Sequence, residues 1–287
     1  MMNNTQAFKH NNILLAVDGS PSSKAAAYAA TQIASVLRWN IHAIYVVDAA
    51  QVFEMYSDPS RELNKLNGEI SNEHLITLFE EQGTLTLAEI DELCQEMNIP
   101  VTTEMIFGGV PETILGVSKQ FGLLAIGRRG NHHSQDTHYL GRNFRAIAHH
   151  ARIPLLIGNE DETPLKHQHI LLAYDGSKPS RTALSWTEKL QKMFSDVMAV
   201  SVGQNYEKDC AWLEERQKEI ADSTLKHYEF SSEIGEPGKI IASVATSQHA
   251  DLLVMGSYRH SQLREWATHS ILNNVMREVT IPILAAQ

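Results

Sequence analysis

The chain is short of cysteine, of positive charge and of long apolar runs, and each shortage argues against a class of function. Its 287 residues include two cysteines, Cys94 and Cys210, far apart and outside any Cys-x-x-Cys pair. That usage suits a reducing compartment with free thiols. Lysine and arginine number 24 against 34 aspartates and glutamates, a formal net charge of −10. A general nucleic-acid binder needs a basic face for the phosphate backbone, so none is expected. No run approaches the roughly 18–20 apolar residues that span a bilayer. The polar segment Met1–Asn12 lacks the apolar core of a secretion signal. The expectation is a soluble, cytoplasmic protein with no membrane partner.

Familiar catalytic patterns are also missing. Ser20 and Ser177 each follow Asp-Gly, but no Gly-x-Ser-x-Gly elbow and no evident base accompanies them. Helix capping accounts for both serines. The 14 histidines include His132-His133, His138 and His149-His150, yet none forms a His-x-x-x-His pair with a carboxylate partner. Solvated surface imidazoles are the expected reading, and no metal site is assigned. Cys94 falls inside a helical pattern and reads as packing. Trp212, Leu213 and Trp266 read as buried packing too.

What the chain has is an internal duplication. Ile13-Leu14-Leu15-Ala16-Val17-Asp18-Gly19-Ser20 returns as Ile170-Leu171-Leu172-Ala173-Tyr174-Asp175-Gly176-Ser177. Leu123-Leu124-Ala125-Ile126-Gly127 returns as Leu252-Leu253-Val254-Met255-Gly256, and Ile153-Pro154-Leu155-Leu156 as Ile281-Pro282-Ile283-Leu284. Gly109-Val110-Pro111 matches Gly235-Glu236-Pro237. Four matches in one order divide the chain into units 1–158 and 169–287, with the polar segment Asn159–Gln168 between them.

Each unit alternates strand and helix patterns. The first reads as strands Ile13–Val17, Ile41–Val47, Val101–Ile106, Leu123–Ile126 and Ile153–Ile157. Its helices are Ser23–Leu37, Ser71–Met97, Pro111–Gln120 and Arg142–His150. Leu75, Leu78, Leu85, Ile90 and Leu93 are the expected buried positions of the long helix. The second unit repeats the order: strands 170–174, 197–202, 228–233, 251–255 and 281–285, and helices 179–193, 207–226, 237–248 and 270–278. Alternation of this kind predicts an α/β fold, a parallel sheet with helices on both faces. Ligands of such sheets bind beyond the carboxyl ends of the strands, where the order reverses. Asp18 and Gly127 should therefore share one crevice, and Asp175 and Gly256 another. The closing strands near Ile153–Ile157 and Ile281–Ala285 are the simplest seam for a built-in pseudo-dimer; a homodimer of the whole chain is the wider assembly considered.

The stretch Leu123–Asn143 combines a buried strand, Gly127, Gly130, and Gly141 at a helix start. Glycine permits positive φ and close backbone approach, and a helix start offers N–H groups to an anion. That is a sensible phosphate cradle. Arg128 and Arg129 either steer phosphate or are solvated loop charges.

An Asp-Gly-Ser turn after the first strand, a strand ending in Gly-x-x-Gly, a glycine beside a helix start and an Ile-Pro closing strand, all present twice or in altered form, resemble the universal stress protein family. The resemblance covers both halves and implies a tandem member. Its implied fold is two flavodoxin-like, adenine nucleotide alpha hydrolase-like domains, each a parallel five-stranded sheet in the order 3-2-1-4-5. It implies a stress-response regulatory or binding module for ATP or AMP, with Mg accompanying ATP, and no established general reaction. The nucleotide-binding pattern is Gly-x2-Gly-x9-Gly-Ser/Thr. Carried onto this chain, the first-half set is Asp18, the Val46–Val47 backbone, Gly127, Arg128, Gly130, Gly141, Arg142 and Asn143. Here the spacer has ten residues, and Arg142 takes the hydroxyl position; a guanidinium also holds phosphate. The second half keeps Asp175, Gly256 and Ser270, with Arg259 and His269 where glycines are expected. Two other readings stand beside this one: an interaction scaffold without nucleotide, and a weak adenine-nucleotide hydrolase.

Overall fold

The computed structural model describes residues 11–48, 72–130, 140–159, 165–166, 168–257 and 271–287. Arg259, His269, Ser270, Trp266, His132, His133 and His138 lie outside them. In the first half the strands are β1 (Asn12–Val17), β2 (Asn40–Val47), β3 (Val101–Phe107), β4 (Leu123–Gly127) and β5 (Leu155–Gly158). The helices are α1 (Pro21–Leu37), α2 (Asn72–Glu96), α3 (Val110–Ser118) and α4 (Arg142–His150). The second half supplies β6 (His169–Ala173), β7 (Asp196–Gly203), β8 (Tyr228–Ile234), β9 (Leu252–Gly256) and β10 (Ile283–Ala286). Its helices are α5 (Lys178–Leu190), α6 (Tyr206–Ala221), α7 (Pro237–Ser247) and α8 (Ile271–Glu278).

All ten strands form one sheet, ordered β3-β2-β1-β4-β5-β10-β9-β6-β7-β8. Read from the sheet edge inward to its closing strand, each half has the expected order, the first being 3-2-1-4-5. Within each half the pairs are parallel. The seam is antiparallel: Ile283, Leu284 and Ala285 face Ile157, Leu156 and Leu155. β1, β4 and β5 are buried along their whole length, as befits strands covered on both faces. The edge strand β3 exposes Thr102, Thr103 and Glu104 in succession, polar residues that protect an edge.

Two apolar layers cover the sheet, and each contains residues from both halves. One joins Ile33, Tyr45, Ile90 and Cys94 to Trp186, Leu190 and Ile220. The other joins Phe121, Phe144 and Ile147 to Ile241, Val275 and Met276. Trp39 and Trp186 meet edge-to-face across the halves at 5.8 Å. Burial pushes the Cys94 thiol up to about 11, with Asp91 adding to it, which fits a packed and unreactive sulfur.

Three expectations shift. Leu78 and Leu85 are 44% and 67% exposed; the buried stripe of α2 runs instead through Gly83, Leu87, Ile90 and Cys94. Leu85 lies between two stripe positions and so points away from them. Gly83 is on the stripe because a Cβ there would stand 2.7 Å from the Tyr45 ring. α6 stops at Ala221 rather than 226: Glu188 of α5 accepts from the Thr224 N–H at 2.8 Å, and Gln191 accepts from that of Lys226 at 2.8 Å. The closing strands begin after the Ile-Pro pairs, since proline has no N–H to donate.

Helix α1 sits close on the sheet through glycines. At Gly127 a Cβ would stand 2.6 Å from the Ser23 nitrogen; at Gly158 it would overlap the Ser22 carbonyl and the Ala26 amide. Gly158→Ala should therefore destabilise the chain by about 1–3 kcal/mol, the usual cost of overpacking. Gly116 is exposed in α3, and a Cβ there would meet nothing within 4 Å. Its change to alanine should show the opposite sign, a gain of about 0.5–1 kcal/mol. Urea unfolding midpoints of the two variants check both signs.

Candidate functional site

Each half builds its crevice from the turn after its first strand. In the first, Gly19 takes φ 77, a left-handed conformation that suits glycine. This turns the chain so that the Asp18 carboxylate accepts the Ser20 N–H at 3.0 Å, and the Ser20 hydroxyl caps α1 by accepting the Ser23 N–H at 3.2 Å. The second half repeats the device: Gly176 at φ 75, Ser177 N–H to Asp175 at 2.9 Å, and Ser180 N–H to Ser177 Oγ at 3.3 Å.

The loop after β4 is fastened to that turn. Arg129 donates its N–H to Ser22 Oγ at 3.1 Å, and its carbonyl accepts from Ser20 Oγ at 2.9 Å and Ser22 Oγ at 2.5 Å. Both hydroxyls thus hold backbone. Gly130 comes against the aspartate: a Cβ there would stand 2.9 Å from Asp18 Oδ2. In the second half Pro179 occupies the place of Ser22 in the repeat and offers no hydroxyl for such a clamp.

A cavity of about 140 Å³ opens here, lined by Asp18, Val46, Gly127, Gly130, Gly141 and Asn143, with Tyr45, Phe79, Val110 and Ile114 around them. Most of the expected first-half set therefore converges at one switch point. Three members do other work. Val47 is interior, and its carbonyl accepts the Gly108 N–H at 3.1 Å. Arg128 is buried and donates through Nη1 to the Met276 carbonyl in the last turn of α8, tying the halves together. Burial, with Arg129 beside it, pulls its guanidinium down to about 10. Arg142 lies on a different cavity, of about 720 Å³, which also holds Asp175 and Gly256. Gly127 and Gly130 avoid positive φ, and Gly141 sits at φ −55 with its N–H donated to the Arg128 carbonyl at 3.0 Å.

The sequence reading missed a polar cluster under the second crevice. Tyr174 donates to Glu219 at 2.6 Å, Arg181 donates to Glu219 at 2.9 Å, and buried Arg216 pairs with Glu219 at 3.2 Å. Burial alone would raise the Glu219 carboxyl, but its bond from Tyr174 and the two arginines hold it below the usual range. The signal was present as Arg216 and Glu219 three apart on a helix. The first half places a tyrosine differently. Val17 of β1 neighbours Tyr45 of β2, whereas Tyr174 follows β6 and Ser201 of β7 donates to its carbonyl at 2.6 Å. Bulk has changed strands between the repeats. Among the described residues no group of three or more His, Cys, Asp or Glu is placed to hold a metal.

Burial pushes both phenols up to about 12, with Asp18 contributing at Tyr45 and the Glu219 bond at Tyr174. An unfolded tyrosine ionises near pH 10, so the unfolded chain loses these protons first. The stability they contribute should be intact below about pH 10 and fall as pH rises toward about 12. Absorbance titration should show Tyr45 and Tyr174 ionising late. Tyr45→Phe should remove one of them and flatten the alkaline fall in urea midpoint.

Among the described residues no helix is long and apolar enough to cross a membrane. A family model described as the universal stress protein family matches residues 9–158 and again 166–287. A universal stress protein of Synechocystis sp. is 25% identical over 294 residues, spanning 95% of this chain and 98% of that protein. The crystal structure of a universal stress protein from Archaeoglobus fulgidus DSM 4304 superposes with a TM-score of 0.74 at 21% identity, covering 98% of this chain and 97% of that one. A functionally unknown protein from Pseudomonas aeruginosa PAO1 reaches 0.66 at 14% identity, covering 96% and 92%. At such identities the two structures speak for the fold alone. The duplicated sequence, the sheet order and the paired family matches agree: the chain belongs to the universal stress protein family, with two repeats in tandem.

Proposed function

We propose that this chain is a cytoplasmic stress-response regulatory module whose first crevice takes an adenine nucleotide, ATP or AMP. Units 1–158 and 169–287 are its two working halves. The observation that carries the reading is convergence: Asp18, Val46, Gly130, Gly141 and Asn143, far apart in sequence, line one cavity at the carboxyl ends of β1 and β4. Asp18 is the partner for the sugar hydroxyls, and the apolar wall of Val46, Val110 and Ile114 suits a base. At about 140 Å³ the cavity is smaller than the ~300 Å³ from which whole-ligand pockets start, so it seats one end of a nucleotide and leaves the phosphates at the rim beside Gly130 and Gly141. ATP would bring Mg²⁺ held chiefly by phosphate oxygens and water. No catalytic step is proposed, because Ser20 and Ser22 are both bonded to the Arg129 carbonyl.

A scaffold reading has its own support. Arg128, a candidate phosphate ligand from sequence, is spent on the contact between the halves, and β5 with β10 makes one continuous sheet. Calorimetric titration of the full chain with ATP and AMP separates the two. Nucleotide sensing predicts saturable heat, weakened about tenfold or more by Asp18→Asn and unchanged by Asp175→Asn. Asparagine retains an acceptor for the Ser20 N–H, so the turn survives the first change. Absence of heat and of thermal shift at millimolar nucleotide would leave the scaffold.

A further inference from the structure

The long helix of each repeat packs on the outer strands of its half, α2 on β2 and β3, α6 on β7 and β8. Their outward faces differ. On α2 the exposed residues Leu78, Glu81, Leu85, Ala88, Glu92 and Gln95 follow one another at alternating steps of three and four. That is the spacing of a coiled-coil seam, and it runs opposite the buried stripe of Gly83, Leu87, Ile90 and Cys94. Leu78 and Leu85 hold equivalent places one heptad apart. Phe107 extends the patch: it is 56% exposed and shares a face of β3 with Met105, whose Cε would stand 2.9 Å from a Cβ on Gly83. Three of the five large apolar side chains that stand exposed among the described residues thus belong to this one edge. The repeat acts as an internal control. The single leucine of α6, Leu213, is 5% exposed, and the exposed positions among that helix's described residues hold alanine, lysine, glutamate and glutamine. The fold therefore does not itself require leucines on the outside of this helix.

The face also carries charge of one sign. α2 contains seven carboxylates and no lysine or arginine. Glu81 and Glu92 lie in the seam, with Glu89 and Glu96 beside it. Lys24 of α1 pairs with Glu89 at 3.0 Å. A carboxylate near a helix C-terminus opposes the helix dipole, and α2 has no basic residue in its last turn, whereas α6 has Lys218 in its own. Negative charge is held where the helix disfavours it, next to apolar side chains held where water disfavours them. Cations presented on an apolar surface would offset both costs. A second copy of this chain would not, since two such faces set glutamate against glutamate. An anionic lipid surface would be repelled.

We infer that the outer face of α2 is a docking surface for a basic amphipathic helix of a partner protein. The partner's apolar stripe lies against Leu78, Leu85 and Ala88, and its lysines or arginines meet Glu81, Glu89, Glu92 and Glu96. The seam from Leu78 to Gln95 runs about 26 Å, the length of a helix of roughly 18 residues. The inference goes beyond the nucleotide reading of the first crevice and does not rest on it.

The test is calorimetric titration of the full chain with a synthetic peptide of three heptads, leucine at positions a and d and lysine at e and g. Saturable binding that weakens with added salt is the expected result. Two companion peptides separate its causes, one with glutamate at e and g and one with serine at a and d, each used below the concentration at which it self-associates. Both should bind at least tenfold more weakly. Leu78→Ser with Leu85→Ser, both at exposed positions, should weaken the lysine peptide tenfold or more, and so should Glu81→Lys with Glu92→Lys. Glu214→Lys with Glu229→Lys makes the same change of charge on the second half and should leave its affinity within twofold. If circular dichroism shows one α2 variant unfolded, the other decides. No saturable binding of the lysine peptide would overturn the inference. So would a serine peptide that binds as tightly, or an equal loss in the second-half variant, since either would mean general attraction of a polycation to an acidic chain. A dimer of the chain in sedimentation that Leu78→Ser with Leu85→Ser dissociates would also overturn it, making the face a seam between copies.

Discussion

Antiparallel pairing of β5 with β10 joins two parallel sheets, and through it each half completes the interior of the other. Both strands are short and wholly buried. Left unpaired, each would present an apolar edge with open N–H and carbonyl groups, the arrangement that invites uncontrolled association. The seam consists of three facing residue pairs, yet it fixes what lies above it. It brings α4 across the second crevice and sets the end of α8 within reach of Arg128. Asn159, just past β5, adds a bond from its side-chain amide to the Val279 carbonyl. The apolar layers on both faces run through the seam, so the halves share their cores as well as their sheet.

Glycine marks this fold in the sequence more clearly than any other residue type, but its work differs from what a phosphate cradle would ask. Gly127, Gly158 and Gly256 let the first turns of α1 and α5 press onto strand ends. Gly130 lets a loop reach the Asp18 carboxylate. These are contacts of protein with protein. A close backbone approach reads the same in sequence whether the approaching group is a ligand or a neighbouring helix, so the motif located the crevice without naming its tenant. Gly19 and Gly176 are different: their left-handed φ is demanded by the turn itself.

The repeat, the alternation of elements and the strand order were legible because each rests on local pattern. Burial in α2 was read less well: several apolar positions compete for a stripe, and the choice fell to Tyr45 pressing on Gly83. The end of α6 depends on Glu188 and Gln191 of another helix, which no local pattern reveals. Site residues followed the same rule. Asp18, Gly130 and Gly141 converge because strand order alone brings them together. Arg128 and Arg142 went elsewhere because their destinations lie across the seam, and one sequence without a partner surface carries no sign of that.

Ser257 follows Gly256 where Arg128 follows Gly127, and this exchange makes the two repeats complementary rather than redundant. A chain built from two first halves would carry an arginine at both ends of the seam. One built from two second halves would have neither. The mixed order leaves the two crevices unequal, about 140 Å³ in the first half and about 720 Å³ in the second. Duplication supplied the symmetry; one side chain gives the assembled pair a front and a back.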